Sequence, residues 1–264
     1  MAVSAPAPRP DALASRPDRL LAICVVVAGL LSRLPFVDAE EGWFDEIFSI
    51  YTAAQSLPEI LRGALIEQTN PPGYYLLAHA WNALGGSGVA WHRVLTAIAG
   101  ALAPALVLLA ARRLGFSRWA AVVAAVVALA SPFLWQMSLE VRAYAPLALL
   151  SAWALWIGAG IATSDEAPRT RAIAGLAGLQ VGMALLHYFG AFAVFGLTLG
   201  VVAGQRAQRG ASWAECLRLL VVLGGPAAVL LATWVGVAFL GGEGLGGRNV
   251  AWIPETSAAI ALRN

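Results

Sequence analysis

A chain of 264 residues has the length of one or two soluble domains, yet 59% of it is hydrophobic, only 12% is charged, and the mean hydropathy is +0.73. Long runs almost free of charge exclude an ordinary soluble domain and mark a polytopic membrane protein; no nucleic-acid partner is expected. The net charge of +2 decides little, because in a membrane protein the position of each charge along the chain carries the information.

Residues 1–19, rich in Pro, Ala and Arg without apolar periodicity, predict a disordered cytoplasmic tail. Residues 20–37, LLAICVVVAGLLSRLPFV, fit either a cleaved signal peptide or a first span. The length of the run and the lack of a nearby small-x-small cleavage site favour the span. Further apolar runs follow at 91–111, 119–136, 143–162, 172–187, 188–204 and 215–240, for about seven spans in all. The expected fold is therefore an all-α membrane helical bundle. The spans at 172–187 and 188–204 are divided only by the short turn HYFG. Trp91, Trp119, Trp135 and Trp213 fall near span ends, as an interfacial belt would. No internal repeat of the transporter kind is present. Cys24 and Cys216 lie in or beside apolar runs with no CxxC-like spacing, so they read as packing residues.

The connections alternate in charge. Arg9, Arg16 and Arg19, then Arg112, Arg113 and Arg118, then Arg169 and Arg171, then Arg206, Arg209 and Arg218 fall on one side, which the positive-inside rule makes cytoplasmic. The other side receives Asp38, Glu40, Glu41, Asp45, Glu46, Glu59 and Glu67, then Glu140 and Arg142, His187, and finally Glu243 and Arg248. The three expected segments are the tail, a transmembrane module over 20–240 containing the external loop 38–90, and the start of another external loop over 241–264.

The loop 38–90 is not simply polar. If 44–56 is helical, Phe44, Ile47, Phe48, Tyr51 and Ala54 form one face and Asp45, Ser49, Thr52 and Ser56 another, the pattern of a helix lying on a membrane surface. Asp45 then sits in the first turn, where the helix dipole favours its ionised form. In NPPGYYLLAHAW, residues 70–81, the prolines end any preceding helix and open a second segment that is too short to span and is expected to be interfacial or re-entrant.

Arg93, Glu140, Arg142, Tyr144 and His187 all fall at external span ends, level with this loop, where charge beside hydrocarbon is costly and tends to be paired or functional. SLEVRAYAPL, residues 138–147, stands out among them. A lone arginine at a span end is usually a snorkelling anchor, but an external one runs against the charge rule, and Arg142 is flanked by Glu140 and Tyr144. A guanidinium in a partly dry pocket suits a phosphate. Taken alone, His187 fits a satisfied polar turn residue equally well, and Arg33, Glu67 and Arg248 read as surface or anchor groups.

The order of these motifs resembles glycosyltransferase family 39 and its bacterial relatives, a group that includes dolichyl-phosphate-mannose protein mannosyltransferases and the aminoarabinose transferases that modify lipid A. The matching features are Asp45-Glu46 after the first span, Asn70-Pro71-Pro72-Gly73-Tyr74-Tyr75 in the same loop, Arg93 opening the next span, and Glu140-x-Arg142-x-Tyr144 opening the fourth. The resemblance covers about residues 20–240. It implies a GT-C type integral membrane enzyme, in a bacterial inner membrane with its N-terminus cytoplasmic, that transfers mannose or another pentose or hexose from a polyprenyl phosphate to an acceptor hydroxyl with inversion. Asp45 is implied as general base, with Glu46 orienting it or the acceptor, or raising the basicity of Asp45 by like-charge repulsion. Arg142 is implied at the leaving phosphate, helped by Arg93, His187 and Tyr144, and Asn70, Pro71, Pro72, Tyr74 and Glu140 are implied around the substrate. The lipid-linked sugar is a substrate, so no cofactor is expected, and no metal. The acceptor could be a protein, a lipid or a glycan, with membrane lipid as the remaining partner. Family members are usually longer, which implies either a fragment or a minimal form. A transporter or flippase, or a non-catalytic scaffold, are the readings of a different class. Against the transporter stand the near absence of mid-span acids and the gathering of ionisable groups at one face.

Overall fold

The computed structural model describes residues 15–67 and 70–240. Among the described residues the chain is helical, with turns and no strand: α1 (Arg16–Leu31), a 3₁₀ turn (Leu34–Phe36), α2 (Phe44–Ala53), α3 (Leu57–Glu67), α4 (Gly73–Asn82), α5 (Val89–Arg113), α6 (Arg118–Ala130), α7 (Pro132–Met137), α8 (Tyr144–Ala162), α9 (Thr170–Leu186), α10 (Gly190–Arg209) and α11 (Trp213–Leu240). Most of the expected tail, and the external loop expected after residue 240 with Glu243 and Arg248, lie outside the described residues.

Among the described residues five helices are long and apolar enough to cross a membrane: α1 with its 3₁₀ extension, α5, α8, α10 and α11. The other two expected spans are shorter. α9 has 17 residues, about 26 Å of helix. The run expected as one span over 119–136 is broken into α6 and α7 at Ser131-Pro132, where Ser131 caps α7 through the Leu134 N–H and the proline occupies its first position.

α1 also begins earlier than expected. Ser15 caps it, Pro17 sits in its first turn, and Asp18 inside that turn is buried against Arg112 (3.3 Å) and Arg118 (3.1 Å). The start of α1, the end of α5 and the start of α6 are thereby tied at one end of the bundle. The alternation of the helices then places the ends of α1, α7 and α9 and the starts of α5, α8 and α10 at the other end, together with α2, α3 and α4.

α5 is the central helix, packed against α1, α6 and α8. Its buried surface is small: Ala97, Ala99, Gly100, Ala101, Ala103 and Ala105 let neighbouring backbones approach closely, which is how apolar helices associate where lipid is as apolar as leucine. At the α1–α5 crossing a Cβ on Gly29 would lie 2.9 Å from the Ala101 Cα. A second core joins α8, α9, α10 and α11 around Ala154, Leu176, Met183, Val194 and Leu223.

α2 presents Phe44 (77% exposed), Ile47 and Tyr51 (67%) outward and turns Glu46, Ser49 and Thr52 into the protein. Of the apolar stripe read in the sequence, Phe44, Ile47 and Tyr51 form the outer surface of α2, while Phe48 packs inward against Tyr75. α4 sits beneath α2, with Tyr74, Tyr75 and Ala78 buried, and its ten residues do not span. Trp91 stacks on Trp81 at 4.8 Å, and Trp135 donates to the Ser32 carbonyl (2.9 Å).

Candidate active site

Three segments distant in sequence meet at the Asp45 end of the bundle: the first turn of α2, the start of α4, and the strap 138–143 between α7 and α8. Asp45 and Glu46 both lie in the first turn of α2, but successive helical residues point about 100° apart, and the two carboxylates enter different surroundings.

Glu46 points inward and is fully buried. Its Oε1 accepts from Arg93 Nε (2.9 Å) and from the Val141 backbone N–H (2.9 Å), and its Oε2 accepts from Arg93 Nη2 (2.6 Å) and caps the helix through the Trp43 N–H (3.3 Å). The remaining N–H groups of Arg93 reach the carbonyls of Val37 (3.3 Å), Glu40 (2.7 Å) and Glu41 (3.3 Å). A guanidinium has five N–H donors, and these contacts use all of them. Two of the implied roles do not fit this arrangement, Arg93 at the phosphate and Glu46 as a charge that raises the basicity of Asp45. Arg93 has no donor left for a phosphate, and Glu46 is matched by Arg93, so it is not a free negative charge beside Asp45. Together they staple the loop before α2, α2 itself, α5 and the strap.

Asp45 points the other way and stays accessible, its side chain 35% exposed, with Oδ2 3.3 Å from Arg142 Nη1. The Arg142 side chain is 13% exposed. Burial works against its charge, but Asp45, Tyr75 and Tyr144, the last also as a hydrogen-bond partner, outweigh that and hold the guanidinium above its usual range. A single long contact leaves most of the Arg142 fork unused by Asp45.

Tyr74 and Tyr75 reach the same region from α4. The Tyr74 hydroxyl is buried with no hydrogen-bond partner among the described residues, and desolvation raises its pKa well above the ordinary phenol range, so it stays protonated. Tyr75 packs edge-on against Phe48 and Tyr74. Asn70, Pro71 and Pro72, implied beside the substrate, are buried in the lead-in to α4. Gly73 is required just there, since a Cβ would lie 2.5 Å from the Leu185 carbonyl oxygen of α9. What this motif delivers to the site is the tyrosine pair.

His187, in the turn between α9 and α10, packs its ring against Tyr144 (5.3 Å between centroids) and Phe189 (4.6 Å). Its Nδ1 accepts the Phe189 N–H (3.0 Å), which leaves the ring proton on Nε2. Burial first and Arg142 second hold its pKa below the ordinary value of 6.5, so it is a neutral donor at pH 7.

Glu140 does not join Arg142. It accepts from Gln136 Nε2 (3.2 Å), its pKa is raised by burial, and it lines a separate cleft of about 690 Å³ with Glu40, Glu41, Trp43 and Trp135, whose wall includes the Glu46–Arg93 pair. An apolar cavity of about 330 Å³ runs between α5, α6, α7 and α8, and Tyr144 lies on its wall. Among the described residues no group of three or more His, Cys, Asp or Glu converges as a metal site would require.

Two residues of this region escaped sequence reasoning. Tyr75 lies within the Asn70–Tyr75 motif, whose spacing assigns it no role. Arg33, read as an anchor, is fully buried and donates to Ser138 Oγ (2.7 Å) at the root of the strap. The signal was available, because an arginine at that end of the first span breaks the charge rule just as Arg142 does.

Residues 69–234 match the family model of dolichyl-phosphate-mannose-protein mannosyltransferase. That segment holds Arg93, Arg142 and His187 and begins after Asp45. Among solved structures, the fold is similar to a chain in the S. cerevisiae protein O-mannosyltransferase Pmt1-Pmt2 complex bound to the sugar donor, with a TM-score of 0.60, 16% identity, and coverage of 87% of this chain and 34% of that one. The chain thus spans about a third of the length of that relative, and the likeness is one of fold. No curated protein matches the sequence.

Proposed function

We infer the function from the premise that the chain belongs to the dolichyl-phosphate-mannose-protein mannosyltransferase family. On this reading it is an integral membrane glycosyltransferase that moves a sugar, mannose or another pentose or hexose, from a polyprenyl phosphate to an acceptor hydroxyl. The reaction takes place at the extracytoplasmic surface of a bacterial plasma membrane, the N-terminus is cytoplasmic, and no cofactor takes part. The observation that carries the reading is the 3.3 Å approach of Arg142 to Asp45, an accessible carboxylate beside a largely buried guanidinium, at the end of the bundle opposite the Asp18 cluster.

Asp45 is the general base. It takes the acceptor hydroxyl proton as the acceptor oxygen attacks the anomeric carbon from the face opposite the phosphate. The new C–O bond forms while the bond from the anomeric carbon to the phosphate oxygen breaks, the configuration inverts, and the electron pair leaves on polyprenyl phosphate. Arg142, which Asp45 engages through a single long contact, stabilises that charge, and the neutral His187 Nε2–H and the Tyr144 hydroxyl add donors. The phosphate competes with Asp45 for Arg142, so donor binding loosens the ion pair and frees the base. The apolar cavity that Tyr144 borders suits an isoprenoid tail entering from the bilayer, which keeps the sugar phosphate at the surface. Glu46 and Arg93 act through position: they fix the turn of α2 that aims Asp45 and the strap that carries Arg142.

The reading is tested by supplying purified protein with polyprenyl phosphates bearing different sugars and measuring released polyprenyl phosphate. Wild type is expected to consume at least one donor. Arg142→Ala is expected to lose most of that turnover while inserting normally. Failure of wild type to consume any donor, with or without acceptor peptides, lipids and glycans, overturns the assignment and favours a transporter or scaffold.

A further inference from the structure

Arg33 presents a problem that the proposed chemistry does not address. Its guanidinium lies fully buried where α1 ends, and among the described residues no carboxylate stands within ion-pair distance. Nε donates to Ser138 Oγ (2.7 Å), Nη1 donates to the Gly29 carbonyl (3.3 Å) and to Ser32 Oγ (3.0 Å), and Nη2 has no partner. A buried charge without a counter-ion is costly, and an apolar side chain of similar volume at such a place is commonly as stable or more so. Stability therefore does not account for an arginine here, and what it holds must.

It holds the strap. Ser138 ends α7, and its hydroxyl both accepts from Arg33 and donates to the Trp135 carbonyl (2.6 Å). Trp135 is itself tied to α1 through the Ser32 carbonyl (2.9 Å) and an edge-on contact with Phe36. Further along, the strap is fixed at the Val141 N–H by Glu46 and at Arg142 by Asp45. The root has no slack on the α5 side, because a Cβ on Gly100 would meet the Ser138 Cβ at 2.3 Å and Arg33 Nε at 3.3 Å. Without the Arg33 contact, the strap keeps its middle attachment and gains freedom to pivot about Val141, which swings Arg142.

We propose that Arg33 is a positioning residue that sets Arg142 by pinning the root of the strap at Ser138. The proposal rests on the function assigned to Arg142 above. It separates from that function because strap mobility can be read without turnover.

The experiment uses the full chain with Cys24 and Cys216 replaced and Glu140→Cys as a reporter in the strap. It compares Arg33→Met, Arg33→Lys and Ser138→Ala. Arg33→Met is expected to retain or raise the melting temperature, to let a water-soluble thiol reagent label position 140 about tenfold faster, and, in protein with native Glu140, to lower kcat for donor cleavage about a hundredfold with a much smaller change in KM, the scale of an ångström-level misplacement. Arg33→Lys, which keeps one donor to Ser138, is expected to restore at least a tenth of wild-type kcat. Ser138→Ala should reproduce the loss, and the Arg33→Met/Ser138→Ala double variant should be no worse than Arg33→Met. If Arg33→Met fails to accumulate, Ser138→Ala, which removes one hydroxyl, carries the same test. Unchanged labelling and kcat in a folded variant, or additive losses in the double variant, overturn the proposal. Faster labelling in a wild-type background that cleaves no donor supports the pin and sinks only the function assigned to Arg142.

Discussion

Asp45 and Glu46 are neighbours in the chain, yet one is a half-exposed carboxylate facing Arg142 and the other a buried clamp on Arg93. Their substitutions should diverge accordingly. Asp45→Asn breaks one partly exposed ion pair and should alter stability by under about 1 kcal/mol. Glu46→Gln leaves the Arg93 guanidinium buried without its counter-charge and should cost about 3–5 kcal/mol, read as a lower melting temperature in detergent. His187 gives a pH signature. Its folded pKa lies below the ordinary 6.5, so the unfolded chain binds the proton more readily; the His187 contribution is intact above 6.5 and is lost as pH falls through that value towards the folded pKa. His187→Asn should therefore flatten the fall of melting temperature as pH drops below about 6.5, and an unchanged slope would count against a neutral buried ring. The motif residues were legible in sequence as a group on one side of the membrane. Their division of labour was not, because a carboxylate pair does not reveal which member turns inward, and the partners of Glu46 come from α5 and the strap, 47 and 95 residues away.

Elements were legible where a simple period governs them and obscure where a local break does. The stripe Phe44, Ile47, Phe48, Tyr51, Ala54 marked α2, and the helix turns Phe44, Ile47 and Tyr51 outward while Phe48 packs inward against Tyr75. The break between α6 and α7 was written in Ser131-Pro132 but hidden within an unbroken apolar run. The turn HYFG is short because Gly190 permits it: a Cβ there would lie 2.2 Å from the Met183 carbonyl oxygen. Gly100 is the element-scale test. Gly100→Ala should push Ser138 away and cost on the order of 1–3 kcal/mol by overpacking, with a loss of turnover through the strap. Gly178→Ala, with open space around its Cβ position, should be silent or slightly stabilising. Equal behaviour of the two variants in thermal unfolding would contradict the close crossing of α5 and the strap.

At the scale of the whole molecule, alternating charge predicted which helix ends share a side. The Asp18–Arg112–Arg118 cluster and the Asp45–Arg142 site do lie at opposite ends of the bundle. Which end faces the cytoplasm follows from the arginine bias and is open to direct test: an impermeant thiol reagent added outside intact cells should label a cysteine at position 41 and not one at position 165, and the reverse pattern would invert the orientation. Packing was the part that sequence could not supply. Small residues along α5 say that helices approach closely, but not that the neighbours are α1, α6 and α8. The meeting of α2, α4 and the strap depends on those neighbours. The central claim is that Asp45 removes the acceptor proton beside a phosphate held by Arg142, and it is tested most directly by measuring donor binding and donor turnover together in Asp45→Asn. The account predicts near wild-type donor affinity with turnover reduced by about a hundredfold or more, the scale of a lost general base. Wild-type turnover in that variant would contradict it.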